Sequence, residues 1–163
     1  MHNNQSIPRE VIERIADDRD LEVITACDKN YDDLMMGGVW RRKDFRQALR
    51  AEDMAIYVAE TRDGIDAVFC GFMVVERYKR SYEIHRIAIN PVLLRIGVGS
   101  VLVHALKKKM SLRGVREIAC DVPQSNIRAQ LFFKSLGFKA KLPSDDKYYR
   151  FVFTFADLVG GRS

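Results

Sequence analysis

The chain has 163 residues, 47% apolar and 30% charged, a size and balance that suit one globular domain, residues 1–163, with a core that needs no staples. No apolar run approaches the roughly 18–20 residues that cross a bilayer, and three cysteines without a CxxC spacing (Cys27, Cys70, Cys120) argue against a disulfide framework or zinc site and for a reducing cytoplasm. The net charge of +5 is scattered over Arg41-Arg42-Lys43, Lys79-Arg80 and Lys107-Lys108-Lys109, with no nucleic-acid-binding pattern to focus it; nucleic acid is therefore not expected as a partner, whereas a polyanionic cofactor or an acidic substrate would suit such a surface.

The polar opening Met1–Ser6 lacks the basic start and apolar stretch of a signal peptide, and residues 1–10 read as a flexible segment. A first strand is predicted over residues 11–16. Asp17 and Asp18 then supply helix-start chemistry, and Leu21, Val23, Ile24 and Cys27 form an apolar stripe. Residues 31–40, with Gly37-Gly38, read as an irregular connection. Within it Met35, Met36 and Trp40 suit an ordinary core or a hydrophobic lid. A short helix follows over residues 43–51, with Phe45, Ala48 and Leu49 on one face. Residues 54–60 form a strand candidate, turned by Thr61-Arg62-Asp63-Gly64. Residues 67–75 are almost continuously apolar, as in a strand buried on both faces. The next strand, 82–90, is closed by Pro91.

From Gly97 the period becomes helical. Val98, Val101, Leu102, Ala105, Leu106 and Met110 share one side, Lys107, Lys108 and Lys109 are assigned to water, and Gly114 ends the helix. A strand over residues 116–122 leads to a helix over 126–136, capped by Ser125 or Asn126 and stopped by Gly137. Strands over 138–142 and 148–155 finish the chain. The alternation predicts an α/β class, α+β on a looser definition, with a mixed sheet covered on both faces.

Chemistry concentrates in two blocks. In Ile84–Ser100 a buried strand ends at Pro91 and two glycines, Gly97 and Gly99, open a long helix. Glycine lets backbone approach a ligand, and first-turn N–H groups lack intrahelical partners, so this is an anion cradle. A lone Gly-x-Gly equally suits a bare strand-to-helix turn. No Lys-Ser or Lys-Thr follows as in a P-loop, and Leu102 stands where a dinucleotide fold needs its third glycine. The second block is Asn126-Ile127-Arg128-Ala129-Gln130-Leu131-Phe132-Phe133-Lys134-Ser135-Leu136-Gly137-Phe138.

Together the blocks resemble the two signature motifs of the GNAT superfamily of acyl-CoA-dependent N-acyltransferases. The first is similar to (Arg/Gln)-x-x-Gly-x-(Gly/Ala), the second to Asn-x-x-Ala-x-x-(Phe/Leu)-Tyr-x-x-x-Gly-Phe. The resemblance implies the GNAT fold, a mostly antiparallel sheet of six or seven strands, splayed where acyl-CoA lies, with helices on both faces. It implies acetyl-CoA as cosubstrate, no metal, and a small-molecule or peptide amine as acceptor, attacking the thioester directly. Family members are often dimers, which makes a homodimer conceivable.

Carried over residue by residue, the pyrophosphate would meet backbone N–H groups of Ile96, Gly97, Val98 and Gly99, with Ser100 close by. Pantetheine would run along Ile87, Ala88 and Ile89, with Asn126 on its far side. Two carboxylates match positions where family members place a base: Glu83, on the strand before the glycine loop, and Asp121, five residues before Asn126. Pairing with a neighbour such as Arg86 is the alternative for a strand-end carboxylate. His85 shares Glu83's face and ranks after them. The chain departs from the motifs twice. Leu94 replaces the first Arg or Gln, with Arg95 next to it to compensate, and Phe133 occupies the tyrosine position that serves as general acid. Tyr148 or Tyr149 could take that role. The alternative is a GNAT-fold module that binds acyl-CoA without turning it over.

Overall fold

A computed structural model describes residues 10–29, 40–63, 66–90, 97–141 and 147–160. The segment 1–9, the pairs Met35-Met36 and Gly37-Gly38, and Leu94, Arg95 and Ile96 lie outside the described residues.

Among the described residues, seven strands form one sheet in the order β1-β2-β3-β4-β5-β7-β6. They are β1 (Glu10–Ile15), β2 (Met54–Asp63), β3 (Asp66–Arg77), β4 (Ser81–Ile89), β5 (Glu117–Pro123), β6 (Lys139–Lys141) and β7 (Tyr148–Thr154). Every neighbouring pair is antiparallel except β4 with β5. The helices are α1 (Leu21–Lys29), α2 (Arg42–Arg50), α3 (Val98–Arg113), α4 (Ile127–Ser135) and α5 (Phe155–Gly160).

The sheet is buried on both faces because its central strands are apolar at both parities. Met73 and Val75 join the core with Leu102, Leu106 and Met110 of α3 and Phe133 of α4. Phe72 and Val74 point the other way, into a core with Ile24 of α1 and Phe45 and Ala48 of α2. Each such fully buried aliphatic side chain is worth about 1.5–3 kcal/mol of transfer free energy.

Three expectations change. The turn placed at residues 61–64 is tighter, since Thr61, Arg62 and Asp63 pair with Val68, Ala67 and Asp66 and carry the ladder to its end. The last strand stops at Thr154, where α5 begins; the Thr154 N–H donates to Asp157 Oδ2 at 3.0 Å and the Asp157 N–H donates back to Thr154 Oγ1 at 3.2 Å. That Thr-x-x-Asp reciprocity is a capping box, visible in the sequence but unread there. Finally, Lys107 does not face water. It is buried, donates from Nζ to the Leu136 carbonyl at the end of α4, and sits 4.0 Å from the Phe153 ring centroid. The ammonium thereby satisfies an orphan helix-end carbonyl and meets its negative dipole.

All three cysteines are free and buried. Burial pushes the Cys27 thiol up to about 12, and raises Cys120 well above the usual thiol range. Their contribution to stability is therefore whole below the unfolded-state value of 9.0 and is lost as pH rises through the folded values, because the unfolded chain can ionise them first. For Cys27 alone the loss by pH 12 is on the order of 4 kcal/mol. Urea-unfolding midpoints should hold level to pH 9 and fall steeply above it, and iodoacetamide at pH 8 should leave the native thiols unmodified. Rapid native-state alkylation would contradict this burial.

Candidate active site

The ladder between the parallel strands stops early. Ser81, Tyr82 and Glu83 of β4 pair with Glu117, Ile118 and Ala119 of β5, and no further pairs follow. Beyond that point β4 continues to Ile89 on β3, and β5 continues to Pro123 on β7. The facing edges of Ile84–Ile89 and Cys120–Pro123 thus carry main-chain polar groups with no ladder between them, a demand that an extended ligand can meet.

A bulge sits at the mouth of this opening. Val75 pairs with Ile84 but Val74 pairs with Arg86, leaving His85 as an extra residue. Tyr82 and Ile84 before the bulge, and Ile87 and Ile89 after it, all enter the α3–α4 core. Ala88 enters the opposite core, under α1 and α2. Glu83 and His85 line a shallow cavity of about 420 Å³ together with Tyr78, Ser81 and Arg150.

Arg150 organises that cavity. Its Nη1 and Nη2 donate to Glu83 Oε1 and Oε2 at 3.0 and 2.8 Å, and Nη1 also donates to Asp121 Oδ1 at 3.2 Å. Asp121 is its cross-strand neighbour. The bonds to Glu83, ahead of the attraction of Asp121, hold the guanidinium charged. The Glu83 side chain is 16% exposed, Arg150 35% and Asp121 46%. The structure therefore brings Glu83, Asp121 and His85 together, and adds an arginine that the sequence reading missed.

Arg86 is not the partner of Glu83. The bulge turns it toward α1, where it is fully buried and donates to Asp28 from Nε at 2.9 Å and from Nη2 at 3.0 Å. The Trp40 N–H donates to Asp28 Oδ2 at 3.0 Å, and the Trp40 ring lies 5.3 Å from the guanidinium. Trp40 is a half-buried clasp on this pair.

The start of α3 lies past the far end of β4. Gly97 is its N-cap at φ +79°, a conformation that costs other L-residues about 1–2 kcal/mol. Among the described residues no side chain caps the helix, and no acidic residue stands in its first turn, an arrangement whose N–H groups and dipole suit an anion. Gly99 is buried, and a Cβ there would lie 2.9 Å from Phe132 Cζ. Val98 points into the core and Ser100 is half-buried.

Residues 19–138 match the model of the acetyltransferase (GNAT) family, which takes in most of the chain. The chain belongs to the GNAT family. No curated protein sequence matches it significantly. Among solved structures it is similar to a domain from Methanocaldococcus jannaschii at 19% identity and TM-score 0.76, over 90% of this chain and 99% of that one. It is similar to the ribosomal-protein-S18-alanine N-acetyltransferase of Escherichia coli at 19% identity and TM-score 0.68, over 88% and 91%. It is similar to a spermidine N-acetyltransferase of Vibrio cholerae, solved with CoA and spermine, at 15% identity and TM-score 0.73, over 91% and 98%. At these identities the likeness is one of fold.

The remaining GNAT motif positions have structural employment of their own. Asn126 is the N-cap of α4, its Oδ1 accepting from the Ala129 N–H at 3.0 Å. Phe133, at the GNAT tyrosine position, is buried among Phe132, Phe138 and Phe151 and has no hydroxyl to offer. Tyr148 and Tyr149 are half-buried on β7, two residues and one residue before Arg150.

Proposed function

We propose that the chain is a single-domain N-acetyltransferase that passes an acetyl group from acetyl-CoA directly to a primary amine within one ternary complex. The observation that carries this reading is the ladder that ends at Glu83 and Ala119, ahead of a glycine-opened helix with neither cap nor acid in its first turn. Pantetheine would take up main-chain groups of Ile87, Ala88 and Ile89, and Asn126 would stand on its far side. The pyrophosphate would bind Ile96, Gly97, Val98 and Gly99, with Arg95 and Ser100 adjacent, while the Phe133 ring backs the pocket. Glu83 and Asp121 would hold the acceptor ammonium at the reacting end. Two carboxylates set against the single charge of Arg150 favour a cationic acceptor such as a polyamine or a peptide N-terminus. Buried thiols fit a cytoplasmic setting.

Phe133 motivates a second reading, a GNAT-fold module that binds acyl-CoA without chemistry. A departing thiolate, with a thiol pKa near 8.5, tolerates the absence of an acid, so loss of the tyrosine hydroxyl is compatible with turnover. The test is a thermal-shift titration. A hundredfold excess of acetyl-CoA over Kd should stabilise the protein by about 2.7 kcal/mol, or roughly 5–10 °C. ATP should do far less, and dephospho-CoA should fall between. No shift at millimolar acetyl-CoA would refute both readings, whereas a shift without CoA release across primary amines leaves the binding module.

A further inference from the structure

We propose that His85, oriented by Glu76, takes the proton of the acceptor amine. The inference rests on the acyl-transfer reading above and deepens it. Both oxygens of Glu83 are engaged by Arg150 at 3.0 and 2.8 Å, and Asp121 Oδ1 accepts from the same guanidinium. To take a proton Glu83 must weaken a two-point, charge-assisted contact. His85 carries no such burden. It lies at the bulge, two residues past the last ladder pair, and lines the same cavity as Glu83 and Arg150. Its side chain is 35% exposed, open to an acceptor from solvent.

Glu76, on the neighbouring strand β3, determines which nitrogen works. His85 Nε2 lies 2.6 Å from Glu76 Oε2. An ionised carboxylate only accepts, so Nε2 carries the hydrogen and Nδ1 the lone pair. The His85 bond, ahead of one from Tyr78, holds the Glu76 carboxyl below the usual range and so keeps it ionised. Nδ1 has no hydrogen-bond partner among the described residues. A base held in one tautomer by a carboxylate behind it is the arrangement general-base catalysis needs. Among the described residues, Glu76 of β3 bonds the ring, Tyr78 after β3, Glu83 of β4 and Arg150 of β7 share its cavity, and Asp121 of β5 bonds Arg150.

The step balances. Nδ1 removes one proton from the acceptor ammonium, and the freed nitrogen attacks the thioester carbonyl. The C–N bond forms, the C–S bond breaks, and its electron pair leaves on sulfur. The second nitrogen proton passes to the thiolate, and His85 releases its own to solvent.

The experiment follows CoA release from acetyl-CoA with spermidine and with an alanine-ended peptide, in the full chain and in His85→Gln, Glu76→Gln, Glu76→Ala and Glu83→Gln. Imidazole 15N spectra of the wild type are recorded in parallel. In His85→Gln, kcat should fall about a hundredfold or more and lose the acid limb of its pH profile, with the acetyl-CoA thermal shift retained. Glu76→Gln, whose amide oxygen still accepts from Nε2, should be milder than Glu76→Ala. Glu83→Gln should mainly raise the KM of the amine. The spectra should show Nε2 protonated and Nδ1 bare once His85 is neutral. A protonated Nδ1 in that state, or turnover with its acid limb intact in His85→Gln, overturns the base assignment alone. Bound acetyl-CoA that no amine discharges overturns it together with the acyl-transfer reading.

Discussion

Replacing Asp28 with Ala should destabilise the protein by about 3–5 kcal/mol, because the partner left behind is a guanidinium with no water to turn to. The side chains of Arg86 and Asp28 are both 0% exposed. Asp28 accepts from Arg86 through both oxygens and from the Trp40 N–H, so the truncation orphans three donor contacts. Asp28→Asn, which keeps an acceptor oxygen, should fall between wild type and Ala. Joint replacement of Asp28 and Arg86 by Leu should recover most of the loss, since an apolar pair of similar volume avoids the desolvation of both ions. Urea unfolding of wild type, Asp28→Leu, Arg86→Leu and the double Leu variant closes a double-mutant cycle, with Asp28→Ala and Asp28→Asn measured beside it. If Asp28→Ala unfolds within 1 kcal/mol of wild type, water reaches the pair and the burial described above is wrong. The cycle also bears on the site, because the clasp joins α1 to β4 immediately after the bulge.

Gly99→Val should abolish acetyl-CoA binding while leaving a folded protein. A Cβ at this position would come within 2.9 Å of Phe132 Cζ and 3.0 Å of Cε2, and valine adds two methyl groups in the same direction. Overpacking of this kind costs typically 1–3 kcal/mol. Relief requires that the Phe132 ring leave its place or that the first turn of α3 move away from α4. Either movement alters the N–H groups proposed to hold the pyrophosphate. The thermal shift of roughly 5–10 °C expected of wild type should vanish. Phe132→Ala in the Gly99→Val background should restore stability more fully than binding, which separates the clash from the cradle. Undiminished binding by Gly99→Val would place the anion elsewhere.

The glycine-opened helix was legible in the sequence because its signals are local. Gly97, Gly99 and the period of Val98, Leu102 and Leu106 lie within three turns, and each speaks for the same boundary. The order of strands and helices followed for similar reasons. Arg150 was illegible. Its bond to Glu83 spans 67 positions and depends on β7 passing β6 to lie beside β5, which no local pattern encodes. Lys107 was misread because three consecutive lysines cannot all face one way on a helix, and the one that turns inward is selected by the Leu136 carbonyl and the Phe138 and Phe153 rings. Arg86 was named as a partner for Glu83 only because it is near in sequence, whereas the carboxylate it meets, Asp28, lies 58 positions away on α1. The extra residue at position 85 also breaks the alternation that would have told which side Arg86 takes.

That extra residue makes position 85 unlike its neighbours in what change it can absorb. A substitution there alters a side chain at a cavity wall and leaves every other residue of β4 on its present face. A deletion of that residue would do the same. Ile84 and Arg86 would become consecutive and alternate as in a regular strand, with Ile87 and Ile89 still on the α3–α4 side and Arg86 and Ala88 still on the α1–α2 side. Only the imidazole and the local twist of the bulge would be lost, so length variation of one residue between related chains should gather at this point of the strand.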